Sequence, residues 1–117
     1  MDRAVRRVEM VVGGTPPGPA REALEAFLPR VDLVARAVRA QCLQAQAVAP
    51  SSSAMLVPGG PDGEHPEVHR RLTRTATACA QVAEAAAMVR VSGTADAGRL
   101  AAVERAVVRA EELALLR

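Results

Sequence analysis

The sequence contains no tryptophan, tyrosine, lysine, asparagine or isoleucine, and Phe27 is its only aromatic residue. Without aromatic rings, a chain of 117 residues must fill its core with Leu, Val, Met and many alanine methyl groups. Its elements must then approach closely if no voids are to remain. A core so thin often needs completion by a partner or a second copy. The missing residue types have AT-rich codons, which marks a GC-rich bacterial coding sequence and carries no functional meaning. Charge of one sign is also scarce: 15 basic residues, every one of them Arg, stand against 13 acidic ones, a net charge of +2. So small an excess does not suggest a nucleic-acid binder. No hydrophobic run approaches the length of a membrane span. The two cysteines, Cys42 and Cys79, lack the close spacing of a zinc knuckle or a redox pair. With no apolar leader at the start, two isolated thiols read as reduced and cytoplasmic.

What is present is helical periodicity, interrupted by two stretches rich in Gly and Pro. Residues 1–19 read as an N-terminal arm and linker, and residues 20–117 as the bundle domain. In the arm, Val5, Val8 and Val12 have helical spacing, while Val8, Met10 and Val12 could share one side of a strand, so helix and edge strand both fit. The run from Gly13 to Pro19 holds three glycines and three prolines and reads as a linker or tight loop. From Ala20 to about Val48, Leu24, Phe27, Leu28, Val31, Val34, Val38 and Leu43 trace an amphipathic helix. Pro29 lies inside it and predicts a kink near Ala26 or two consecutive helices. Pro50 to Gly63 reads as a loop with an apolar island, Met55, Leu56 and Val57.

A second long helix is expected to open at Pro66, with His65 as its cap. Its stripe, Val68, Leu72, Ala76, Cys79, Val82 or Ala83, Ala86 and Val89, reaches about Val91, and Gly93 stops it. Thr94 is the expected cap of the last helix, whose stripe is Leu100, Val103, Val107, Ala110 and Leu113 or Ala114. The short turn at Ser92, Gly93 and Thr94 makes the last two helices antiparallel neighbours. The fold class is therefore all-α, an antiparallel three- to four-helix bundle with an ambiguous N-terminal arm.

Three groups of residues carry candidate chemistry. Cys42, His65 and His69 could meet at one end of a helical hairpin and hold copper or zinc, no other cofactor being indicated. Arg70, Arg71 and Arg74 place three guanidinium groups on the exposed side of one helix, where an acidic partner or phosphate could bind, although Glu67 can pair with two of them. The island Met55, Leu56 and Val57 could fold over the bundle end or form a binding lip. No Ser, Thr or Cys has a recognisable His and carboxylate arrangement for catalysis. Gly13 and Gly14 are not a phosphate loop, because the P-loop lysine is absent and prolines follow. A phosphotransfer histidine at His69 would sit in Arg70, Arg71, Leu72 and Thr73, which is not the small-residue pattern normally surrounding such a group.

The run Arg71 to Ala83, with small residues along one face and Cys79 among them, followed by the turn at Ser92 and Gly93, resembles the cysteine-rich four-helix copper-storage family. The resemblance implies a four-helix bundle with thiolates lining its inner faces. At Ala76, Ala80 and Ala83 this chain has alanine where that family favours cysteine. The residues that could keep a reduced form of the activity are Cys42, Cys79, His65, His69 and Met88 or Met55. Storage of many Cu(I) ions requires many thiolates, so the resemblance implies the fold more than the activity.

The leading functional expectation is a non-enzymatic interaction or assembly module, self-associating as a homo-oligomer or docking on a larger protein. A copper- or zinc-binding bundle is the alternative, and an accessory enzyme or phosphotransfer module ranks third. The expected partners are the protein itself or another protein, with no nucleic acid and no membrane.

Overall fold

The computed structural model describes residues 1–48 and 64–117, with the side chains of Val48, Glu64 and His65 outside the description. Five helices follow in order: α1 (Asp2–Gly13), α2 (Pro19–Glu25), α3 (Leu28–Val48), α4 (Glu64–Ser92) and α5 (Ala97–Leu113). Among the described residues there is no strand, so the chain is an all-α bundle.

The N-terminal segment is the helix α1 and belongs to the same core as the rest of the bundle. Val5, Val8 and Val12 are three and four positions apart, which puts them on one helical face, and all three are buried. Its last turn is closed by the Gly14 N–H bonded to the Met10 carbonyl at 2.9 Å. The Thr15 hydroxyl, itself buried, donates to the Val11 carbonyl at 2.8 Å. The first long helix expected from the sequence is split at Pro29. Proline clashes with the carbonyl four residues earlier and has no N–H to give, so α2 ends at Glu25 and Pro29 becomes the second residue of α3. There its missing donor would have had no intrahelical partner in any case. Phe27 bridges the break, its carbonyl accepting from the N–H groups of Arg30 and Val31 at 3.1 Å each.

With 29 residues, α4 is about 43 Å long at 1.5 Å per residue, and every other helix packs on it. Its most extensive pairing is with α5, followed by α1 and then α3. Met1 and Leu72 line one cavity and Gly14 lies against Arg90, so α1 runs parallel to α4. The pair Asp2 and Arg39 at one end, with Glu9 and Asp32 further along the same groove, makes α3 antiparallel to α1. At Gly93 the chain turns back into α5. The core follows the composition: its largest fully buried side chains are Leu24 and the valines, and Ala78, Ala83 and Ala86 are the small residues of α4 that let neighbours close in.

Four expectations are corrected. α4 begins at Glu64, so His65 lies inside its first turn and is not the cap; proline is tolerated throughout that turn because the N–H groups there lack intrahelical acceptors. The cap of α5 is Asp96, whose Oδ1 accepts from the Arg99 N–H at 2.9 Å, and Thr94 belongs to the turn. A carboxylate at this position also complements the positive end of the helix. Leu43 faces solvent, and Cys42, one turn beyond the buried Val38, takes the inward position. Val91 is exposed beyond the end of the buried stripe at Val89.

Gly93 has φ +69°, a conformation costly for any residue with a Cβ. Its N–H reaches back to the Val89 and Arg90 carbonyls, closing α4. Gly93→Ala is expected to cost about 1–2 kcal/mol by the left-handed penalty. Ala86→Leu, at a fully buried position, is expected to cost about 1–3 kcal/mol through overpacking. Urea unfolding followed by circular dichroism checks both values.

Candidate functional site

The metal-ligand candidates are distributed along α3 and α4. Cys42 is half-buried in a small cavity of about 160 Å³ that it shares with Met1, Asp2, Val38, Arg39 and Leu72. His69 lies one turn before Leu72 on α4, is exposed, and does not line that cavity. His65 is in the first turn of the same helix; its side chain lies outside the description. Among the described residues no three His, Cys, Asp or Glu side chains are grouped to hold a metal ion. Cys79 is fully buried on α4 two turns beyond Leu72, where desolvation pushes its thiol up to about 11. Both thiols are free.

The three arginines of α4 do not form one exposed patch. Arg70 is exposed and bonded to Glu67 at 3.0 Å, which with Arg71 and Arg74 nearby holds the Glu67 carboxyl below its usual range. Arg71 turns inward: its side chain is only 23 % exposed, and it donates to Gln41 Oε1 on α3 at 3.2 Å. Gln41 in turn donates to the Ala114 carbonyl at 2.9 Å. Residue 71 is one position before the half-buried Leu72, so its side chain leans toward α3, and the sequence could not show that a glutamine waits there. Arg74 is exposed and makes no hydrogen bond or ion pair among the described residues. Met55, Leu56 and Val57 lie outside the described residues.

One cluster was not legible in the sequence. Arg30, immediately after Pro29, reaches across to α5 and binds Glu111 through Nε (3.1 Å) and Nη2 (2.7 Å). Its Nη1 bonds Glu104, and Arg117 adds a contact to Glu111 at 2.9 Å. The guanidinium also lies 5.8 Å from the Phe27 ring centre. The forked geometry suits arginine, and it holds the Glu111 carboxyl below the usual glutamate range. The available signal was the seven-residue spacing of Glu104 and Glu111, two turns along one face. This cluster is a clamp between α3 and α5: its carboxylates are each engaged by arginine, leaving little to recruit a ligand.

The outer side of α4 differs. Along it Arg70, Arg74, Thr77 and Gln81 are all exposed, followed by Glu84, Met88 and Val91, also exposed. Met88 is 52 % and Val91 80 % exposed, so the stripe ends in apolar surface. Beside its middle, Thr73, Arg74, Thr77, Gln81, Arg109 and Leu113 border a groove of about 190 Å³ between α4 and α5. Arg109, like Arg74, has no ion pair among the described residues. Glu84 and Arg109 escaped the sequence reading because each is a single charge on a polar face, with nothing local to distinguish it.

No protein-family model, no curated protein and no solved structure matches this chain. None of these comparisons therefore bears on the copper-storage resemblance. No helix among the described residues is long and apolar enough to cross a membrane.

Two outcomes follow from these clusters. Arg30→Ala is expected to destabilise the fold by about 1–2 kcal/mol, because it removes two of the bonds to a mostly buried Glu111 and leaves it Arg117 alone. Since the Glu111 carboxyl is lowered in the folded state, its contribution is present above the ordinary glutamate range and is lost as pH falls through and below it. Urea titrations at neutral and acidic pH check both points, and Glu111→Gln should flatten the acid limb. An arylating thiol reagent at neutral pH is expected to modify Cys42 in the folded protein and Cys79 only in denaturant, as peptide mass mapping would show.

Proposed function

We propose that this chain is a non-enzymatic interaction module that self-assembles through the outer face of α4. The observation that carries this reading is the exposed stripe itself. On the one helix that every other element packs against, Thr77, Gln81, Glu84, Met88 and Val91 form a surface with a single charge that ends in exposed apolar side chains. Exposed apolar side chains grouped on a rigid element are the usual material of protein interfaces. The thin Val and Ala core supports the same reading, because a bundle with so little apolar volume gains from burial against another chain. Two free thiols accord with a reducing compartment such as the cytoplasm.

Sedimentation velocity across a concentration series tests the proposal. The chain is expected to shift from monomer to dimer as concentration rises. Met88→Glu together with Val91→Glu should hold it monomeric without loss of helicity. A chain that stays monomeric at every concentration would contradict self-assembly.

A further inference from the structure

The exposed stripe of α4 has a spacing that identifies how a second copy fits. Positions 70, 74, 77, 81, 84, 88 and 91 alternate steps of four and three, the 3.5-residue repeat of a helix seam, and all seven are exposed. Charge is divided along this seam: Arg70, paired with Glu67 one step before it, and Arg74 lie toward its start, Thr77 and Gln81 in the middle, and Glu84 beyond them. Glu84, like Arg74, makes no hydrogen bond or ion pair among the described residues.

We infer that two copies of the chain pair antiparallel through α4, with Glu84 of each copy seated against Arg74 of the other, at the mouth of the groove that Arg109 borders. The inference rests on the self-assembly proposed above and supplies its geometry. A two-fold interface must be self-complementary, so that when residue i meets j, j also meets i. With the axis near position 79, Thr77 meets Gln81, Arg74 meets Glu84 and Arg70 meets Met88, each layer occurring twice. The central layers are uncharged, and Ala80 beside them is small and half-buried, so the helices can approach closely. The register is selected by charge. A slide of one repeat toward the C-terminus places Glu84 opposite Gln81 and Arg74 opposite Val91, which leaves both charges unpaired against uncharged side chains. A parallel arrangement stacks Arg74 on Arg74 and Glu84 on Glu84, which is repulsive.

Arg109 adds a second cation on the α5 side of the same groove, so each incoming carboxylate meets two guanidinium groups that make no ion pair among the described residues. Glu84 lies ten positions after Arg74, on the opposite side of the axis, while Glu67, the acid one step before Arg70 on the same repeat, is already paired with Arg70.

Charge reversal and restoration test this geometry. Arg74→Glu and Glu84→Arg, each alone, are expected to raise the dimer dissociation constant by roughly tenfold or more, since each converts both symmetry-related attractions into repulsions. The doubly exchanged chain, Arg74→Glu with Glu84→Arg, should recover association close to that of the unaltered protein, and added salt should weaken the unaltered dimer. Both positions are exposed, and circular dichroism verifies that each variant is folded. If either single reversal leaves the dissociation constant unchanged, or the exchange fails to restore it, the antiparallel pairing is wrong while self-assembly through another surface stands. If the unaltered protein never dimerises, self-assembly and its geometry fall together.

Discussion

The shortage of side-chain volume governs this structure. With valine as the usual large core residue and Leu24 as the largest fully buried one, each helix contributes a thin apolar stripe. Such stripes exclude water only if the backbones lie close together. That is why one long helix serves as the common partner of all the others, and why alanine occupies Ala78, Ala83 and Ala86 on it. Larger residues at those positions would push the flanking helices away and open gaps that no aromatic ring in this chain could fill. The buried hydroxyls of Thr15 and Thr75 fit the same logic. Each is small, and each is satisfied by the carbonyl four residues earlier, so neither leaves an orphaned polar group.

Where apolar packing is thin, specific polar contacts fix the relative placement of the helices. Arg30 joins α3 to α5 through two glutamates, Gln41 and Arg71 link α3, α4 and the end of α5, and Arg90 lies over Gly14 at the end of α1. An arginine at that last site also complements the negative end of α1. These contacts use Arg30, Arg71 and Arg90. Arg74 and Arg109 remain on the outside without an ion pair among the described residues, beside the uncharged Thr77 and Gln81 and the exposed Met88 and Val91. A chain with nearly balanced charge whose Arg74, Arg109 and Glu84 make no ion pair among the described residues has the pieces of an intermolecular pair.

The helical framework was legible because it depends on local rules. Val5, Val8 and Val12 already had helical spacing, Pro29 demanded a break, and Gly93 demanded a turn. What could not be read depended on which neighbour each side chain meets. Arg71 has the same local pattern as its neighbour Arg70 and only the fold sets Gln41 beside it, while Glu104 is separated by 74 positions from the Arg30 that reaches it. Leu43 is the bulkier apolar neighbour, but one-turn spacing from Val38 gives Cys42 the inward position. Thr94 and Asp96 both carry oxygens suited to cap α5, and only the extended backbone at Asp96, with φ −65° and ψ 122°, distinguishes them. The outer face of α4 was invisible for the opposite reason: its meaning lies in what it leaves unpaired.

The central claim is that the outer face of α4 meets its own copy. The most direct measurement is isotope-filtered nuclear Overhauser spectroscopy on a mixture of labelled and unlabelled protein. The account predicts intermolecular contacts from the Thr77 methyl to the Gln81 side-chain amide, and from the Met88 methyl to the Arg70 side chain. Intermolecular contacts confined to other exposed apolar residues, such as Leu43 and Leu115, or none at all, would contradict it.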